Sequence, residues 1–375
     1  MKMTLENKIE VIRGVNYKPS IDLRTSSDAD SIALLRANNI KNGCIAFDDV
    51  QYVSKSKVKI EQLLRKGDIL VCASSGSKQL VGKAALITRD IRATFGAFCC
   101  VIRPISISPC FLSNYFSSSA YRVAIEEACS GSNINNLKPK NFYDLQIPNY
   151  SLDEQAEISE KLSKARSLIE RCQSLNIYLD ELVKSRFVEM FGGFEKRTLV
   201  GDLCNCIVPG RDKPKSFSGE MPWITTDDLI DGGITYFSKS GLGLSDEEIE
   251  QVHARIIPKD SVLMTCVGRL GICSIAGCDL VANQQLHSFQ CDQDRINNTF
   301  LMYQLKTSKK YMLENAKSVT VQYMNKKTCN SIPIACPPLS LQQDFADFVH
   351  QVDKLKFDLG ICLFVLKEEF FRLIG

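Results

Sequence analysis

Gly76-Ser77-Lys78-Gln79-Leu80-Val81-Gly82-Lys83-Ala84 is the stretch of this chain that most resembles a phosphate-binding loop. Such a loop needs four residues between its glycines and a Ser or Thr after the lysine to hold magnesium. Here five residues separate the glycines and Ala84 follows Lys83, so nucleotide binding is not expected. Cys273, Cys278 and His287 come nearest to a metal site, but four residues lie between the cysteines and a fourth ligand is missing. That is weak against zinc-site spacing, and no metal is expected. The 16 cysteines include no Cys-x-x-Cys and often sit in apolar runs such as Ile69-Leu70-Val71-Cys72-Ala73. They read as reduced, buried thiols acting as small hydrophobes. His253, His287 and His350 have no nucleophile motif beside them. No Asn-Pro-Pro-aromatic segment of an amino-methyltransferase is present, nor a nuclease-like cluster of Asp, Glu and Lys. No catalytic residue is assigned.

What remains is the chemistry of binding. Net charge is only +3, so no global field announces a nucleic-acid partner and any basic surface must be local. Local clusters exist at Lys55, Lys57 and Lys59, at Arg211, Lys213 and Lys215, and at Arg92. Lys78 and Arg269 fall on Gly-containing loops that each follow a predicted strand. Asn283-Gln284-Gln285 also follows one. Asn and Gln can bond both major-groove positions of adenine, and Arg those of guanine, while lysines contact phosphates. These twelve residues are the candidate DNA contacts.

Two long helices must position them. From Leu152 to Met190, apolar residues recur at steps of three and four with neither Pro nor Gly between. Ser151 with Glu154 forms a capping box, and Gly192-Gly193 stops the helix. At 1.5 Å per residue it runs roughly 55–60 Å, and a narrow stripe of that length calls for a partner helix. The partner is Leu339 to Leu373. The stripe residues expected to mediate pairing or docking are Leu152, Gln155, Ile158, Leu162, Leu168, Leu175 and Leu182 in the first helix. In the second they are Leu339, Gln342, Phe345, Val349, Leu355 and Leu366.

The globular regions before each helix repeat one another. Leu34-Leu35-Arg36 matches Trp223-Ile224-Thr225, and Asn39 to Ile45 matches Asp228 to Ile234. Ile69-Leu70-Val71 matches Val262-Leu263-Met264, and Thr4-Leu5 with Ile9 matches Thr198-Leu199 with Leu203. Arg92-Ala93-Thr94-Phe95-Gly96 faces Val281-Ala282-Asn283-Gln284-Gln285. The halves leave through Ile147-Pro148 and Ile332-Pro333 and enter their helices at Leu152-x-x-Gln155 and Leu339-x-x-Gln342. The expected domains are 1–150, 151–192 (helix), 193–338 and 339–375 (helix). A kept apolar frame with divergent loops suits two readers of two different targets.

By these joins, the heptad helices and Asn283-Gln284-Gln285 after a strand, the chain resembles the specificity subunit of type I DNA restriction-modification enzymes. The resemblance covers essentially the whole chain. It implies an α+β fold: two homologous mixed α/β target recognition domains, separated by two long antiparallel helices forming a coiled-coil spacer. It implies that each domain reads one half of a bipartite site on double-stranded DNA. The helices would dock two methyltransferase subunits, with restriction subunits joining the assembly. S-adenosylmethionine, ATP and magnesium would sit on those partners, with no cofactor on this chain. No apolar run approaches the ~20 residues of a membrane span, and the N-terminus is not a signal peptide, so a cytoplasmic location is expected. The alternative is a protein-protein scaffold whose duplicated domains grip two copies of one partner without DNA.

Overall fold

The computed structural model describes residues 2–129, 136–210, 212–317 and 321–374. The chain divides into two compact units, Met1–Gln173 with Gly360–Gly375, and Ser174–Leu359. Among the described residues no helix is long and apolar enough to cross a membrane.

In the first unit the central antiparallel sheet runs in the order Ile9–Arg13, Cys99–Pro104, Ile69–Cys72, Ala84–Leu86. Strand Ile69–Cys72 is buried on both faces, and its side chains alternate between two cores as strand geometry requires. Ile69 and Val71 join a core with Phe111, Leu112, Tyr121 and Phe142 from three short helices. Leu70 and Cys72 join Leu35, Ile40 and Phe95 on the other face. That face is covered by a second sheet, in which Ser31–Leu35 pairs antiparallel with Gln51–Ser54 and parallel with Ala93–Phe95. Asn42 and Gly43 take φ of 51° and 75°, the pair of positive values a tight hairpin between Ile40–Lys41 and Cys44–Ile45 demands.

The second unit repeats this plan. Its central sheet runs Cys204–Ile207, Leu286–Cys291, Val262–Thr265, Cys273–Ala276, Ile234–Thr235. Val262 and Met264 face a core with Phe300 and Leu301, while Leu263 faces Ile224, Leu280 and Ala282. One polar contact changes character between the copies. Asp68 accepts two hydrogen bonds from Arg103, each 2.8 Å, where the second unit sets Gln290 Nε2 3.1 Å from the Ser261 hydroxyl.

The entry and exit of each globular region are clipped together. Met3 pairs with Ile147, and Thr198 with Ile334, in two-stranded antiparallel ladders. The ladders correct the sequence comparison. Ile147 and Ile334, both fully buried, hold matching places, so the two Ile-Pro pairs are out of phase by two residues. Likewise Leu5 corresponds to Val200 rather than Leu199, since it is these two that are fully buried and cap the ladders.

The long helices span Leu152–Phe191 and Leu339–Ile374. The capping box is present: Ser151 N–H donates to Glu154 Oε2 at 2.7 Å, and Glu154 N–H to Ser151 Oγ at 3.3 Å. The more buried side of the first helix carries Gln155, Ile158, Leu162, Ala165, Ile169 and Cys172 in the first unit. In the second unit it continues with Asn176, Leu179, Val183 and Phe187. These steps of three and four keep an apolar seam. Leu168, Leu175 and Leu182 stand one position off it and are 45%, 48% and 48% exposed. Leu152, Leu339 and Leu355 are exposed too, and Lys356 takes the seam position beside Leu355. Phe345 and Val349 are buried, and Leu366 is half-buried. Within the second unit the helices run antiparallel: Phe187 meets Phe345 at 5.2 Å between ring centroids, and Lys356 Nζ lies 2.5 Å from Asp180 Oδ1. Within the first, the Arg166 guanidinium lies over the Phe370 ring at 5.6 Å.

Each helix is joined to its globular region by a glutamine. The Gln155 amide oxygen accepts from Ser108 N–H at 2.8 Å, and its nitrogen donates to Tyr150 O at 2.8 Å. Gln342 repeats the contact, accepting from Asn297 N–H at 2.9 Å and donating to Pro337 O at 2.9 Å. Ser108 and Asn297 are the N-caps of helices Pro109–Tyr115 and Asn298–Thr307. Both glutamines are buried, at 2% and 0% exposure, so they serve the fold rather than an external partner.

Two stability predictions follow from these contacts. Gln342→Leu leaves buried backbone groups unpaired, each costing about 1–3 kcal/mol, so denaturant unfolding of the second unit should show a loss of about 3 kcal/mol. His287 is buried beside Asn330 (Nε2 to Oδ1, 3.1 Å), and burial pushes its imidazole down from 6.5 to about 4. The unfolded chain therefore takes up a proton between pH 6.5 and 4 that the folded chain does not. Stability contributed by neutral His287 should fall by about 3 kcal/mol across that window and then level off. His287→Gln should remove this part of the pH dependence, read as the difference between variant and parent melting curves.

Candidate nucleic-acid interface

At one end of each central sheet a tight turn meets a hairpin loop. In the second unit the turn is Asn283-Gln284-Gln285. Asn283 N–H donates to Ile224 O at 2.9 Å, and Gln285 O accepts from Cys266 N–H at 2.8 Å. The Asn283 side chain closes the turn by accepting from Gln285 N–H at 3.1 Å and donating to Gln285 Oε1 at 3.2 Å. In the first unit the same bonds are made by Gly96 N–H to Leu35 O, 2.9 Å, and Ala73 N–H to Phe98 O, 2.9 Å. The closing bonds match as well: Cys99 N–H to Gly96 O at 2.8 Å, and Leu286 N–H to Asn283 O at 3.1 Å.

The counterpart of Asn283-Gln284-Gln285 is thus Gly96-Ala97-Phe98, two residues beyond the Thr94-Phe95-Gly96 that sequence comparison aligns with it. The apolar run Phe95 to Ile102 reads in the sequence as one strand, but the chain turns at 96–98 between Ala93–Phe95 and Cys99–Pro104. Gln284 and Gln285 are exposed, and Phe98 is 61% exposed.

Lys78 and Arg269 do lie on corresponding loops, after Ile69–Cys72 and Val262–Thr265. Both loops re-enter the sheet through a glycine with positive φ, Gly82 at 83° and Gly271 at 77°. A Cβ on Gly82 would also stand 2.8 Å from Ile125, so this glycine is a turn requirement. The phosphate-loop look-alike therefore runs from strand to strand, without the helix N-terminus that a phosphate needs. Arg122 braces the longer loop, donating to Val81 O and Lys78 O at 2.9 Å each. Arg269 lies 3.1 Å from Asp227 with both side chains exposed.

Beside the first unit's turn lies a concavity of about 390 Å³ lined by Tyr17, Arg36, Asn38, Ser75, Gly76 and Phe98, among others. Beside the second unit's turn, Gly268 N–H donates to Gln322 O at 2.8 Å, and half-exposed Tyr323 pairs with Val267 at the root of the Arg269 loop. Phe98, Arg36, Asn38, Gln322 and Tyr323 were not legible as site residues. Only their backbone pairing, with partners far away in sequence, places them here.

The remaining candidates lie apart. Ser54, which leads into Lys55–Lys57, pairs with Ser31 at the start of strand Ser31–Leu35, whereas the turn is bonded to Leu35 at that strand's end. Lys55, Lys57 and Arg92 therefore sit at the opposite end of the second sheet from Phe98, while the Lys59 N–H donates to Gln62, whose amide in turn reaches Arg13 O. Lys57 is paired with Asp22 at 2.6 Å, and Lys55 Nζ donates to Ala29 O. Lys213 and Lys215 are exposed on the connection from Ile207 to Met221, and Arg211 lies outside the described residues. Cys273 and His287 flank Met264 on opposite neighbouring strands, and Cys278 faces Tyr236 O. Among the described residues no three His, Cys, Asp or Glu side chains form a metal group. The cysteines are free, and burial pushes the Cys100 thiol up to about 12, far from a reactive thiolate.

Comparison with known proteins adds to this geometry. The profile of the type I restriction modification DNA specificity domain matches residues 19–177 and again 193–360. The chain is 40% identical over 173 residues to the type I restriction enzyme StySPI specificity subunit of Salmonella potsdam, covering 46% of this chain and 36% of that one. It is 37% identical over 184 residues to the EcoKI specificity subunit of Escherichia coli K12, covering 49% and 39%. These matches thus span well under half of either relative's length. The fold resembles the crystal structure of a type I restriction-modification S subunit from M. genitalium, with a TM-score of 0.59 at 15% identity over 100% of this chain and 94% of that one. The duplicated frame and the two matched segments place this chain in the family of type I restriction-modification DNA specificity domains, with two copies of the domain.

Proposed function

We propose that this chain is the DNA sequence-recognition subunit of a type I restriction-modification complex. Each unit reads one half of a bipartite, asymmetric site through its turn and hairpin loop. The observation that carries this reading is the duplicated turn: its backbone bonds are the same in both units, while its exposed side chains differ. Equal frames suit equal docking to DNA, and unequal side chains suit unequal half-sites. The paired helices hold the half-sites apart. Their off-seam leucines, Leu168, Leu175 and Leu182, together with exposed Leu355, offer apolar surface to two methyltransferase subunits. Restriction subunits complete the assembly in the cytoplasm. S-adenosylmethionine, ATP and magnesium belong to those partners, and this chain performs no chemistry itself.

Two experiments test this. Footprinting of the chain with its methyltransferase subunits should show two protected blocks separated by an unprotected spacer, with affinity falling steeply as salt rises. A single contiguous block would refute the two-reader mechanism. Salt-insensitive association without any footprint would favour the scaffold alternative. Second, seven residues inserted after Leu175, with seven more after Leu359, keep the seam in phase and lengthen the pair by about 10 Å. The spacer should grow by about three base pairs with both half-sites unchanged. An unchanged spacer would show that the helices do not set the distance.

A further inference from the structure

The two units differ most pointedly at one backbone position. Phe98 and Gln285 occupy the same place in the same turn: each carbonyl accepts from the first residue of the neighbouring hairpin loop, Ala73 or Cys266, at 2.9 and 2.8 Å. That loop residue is itself fixed from behind. Ala73 O accepts from Leu137 N–H, and Cys266 O from Met324 N–H, both at 2.8 Å. Ser74 N–H adds a second bond to Phe98 O at 3.0 Å. The turn is thus rigid, and it points a large ring outward at 61% exposure where its twin points an amide. No neighbouring core claims the ring, although Phe95, three residues earlier, is fully buried.

An amide at this position can bond both the N6 and N7 groups of adenine. A phenyl ring can bond neither. Its complementary feature in the major groove is the 5-methyl group of thymine, the one apolar group that a base edge presents there. Resting on the proposed DNA-reading role, we infer that Phe98 is a specificity-determining residue that reads a thymine through its methyl group. Gln285 then reads adenine from the equivalent position over the other half-site. The adjoining concavity brings Arg36, Asn38 and Ser75 beside the ring, with Asp49 holding both Arg36, at 3.1 Å, and Asn38.

The test uses the chain with its methyltransferase subunits on the site defined by footprinting. Thymines of the half-site covered by the first unit are replaced one at a time by uracil, which removes only the methyl. At one position the replacement should weaken binding about fourfold, the worth of one buried methyl-sized group. In Phe98→Ala that discrimination should vanish, with thymine and uracil binding equally. Phe98→Gln should shift the preferred base there from thymine towards adenine. The inference is overturned if the parent complex binds its split site without sensitivity to any uracil, if sensitivity survives in Phe98→Ala, or if Phe98→Gln keeps thymine. The absence of any split footprint would instead remove the DNA-reading role on which it rests.

Discussion

Everything the two units do as paired devices depends on a glutamine amide buried where a globular region meets its helix. Gln155 satisfies one N–H and one C=O, and Gln342 one N–H and two C=O groups, that would otherwise lose their partners. A buried amide of this kind tolerates little error in angle or distance, because every unmade bond costs its full desolvation. The direction in which the helix leaves the sheet is therefore set by two short hydrogen bonds rather than by greasy contact alone. Aromatic packing then stiffens the second joint, where Phe187 and Phe191 each lie within 6 Å of both Phe300 and Phe345.

Between the joints the helices use a different economy. Their seam is apolar at most positions, but Asn176 and Lys356 interrupt it, and Lys356 is answered by Asp180. A polar residue in a coiled-coil seam costs stability and rejects alternative registers. The interrupted seam thus trades depth of the energy minimum for a fixed register. The leucines displaced from the seam are left facing outward, where they lend the helices a second apolar side.

Much of this was legible in the sequence. Helix ends were marked by Ser151, Glu154 and Gly192, the hairpin by Asn42-Gly43, and the repeat by its apolar frame. The errors share one cause. Leu168, Leu175 and Leu182 lie one step off the pairing seam held by Ile169, Asn176 and Val183, because residue type marks a side chain as apolar without saying which surface covers it. The Ile-Pro pairs and the Thr94-Phe95-Gly96 alignment were drawn by likeness of residues, whereas the true correspondence follows hydrogen bonds between distant strands. No local pattern announces which of two equivalent turns will carry its side chain outward, so Phe98 was read as part of a strand. Gln155 and Gln342 were visible as a motif, but their burial was not.

The terminal clips have a consequence for how such a chain can change over generations. Since Met3 lies beside Ile147, and Thr198 beside Ile334, each globular region is a closed loop whose two ends leave from one place. A closed loop can be cut out and replaced by another of different sequence, even of different length, without stretching the chain on either side. The helix register would survive the exchange, and the glutamine joint would too wherever the incoming region brings a helix N-terminus to the place of Ser108 or Asn297. One region can thus be substituted wholesale, in a single genetic event, while the other region and the long helices remain as they were.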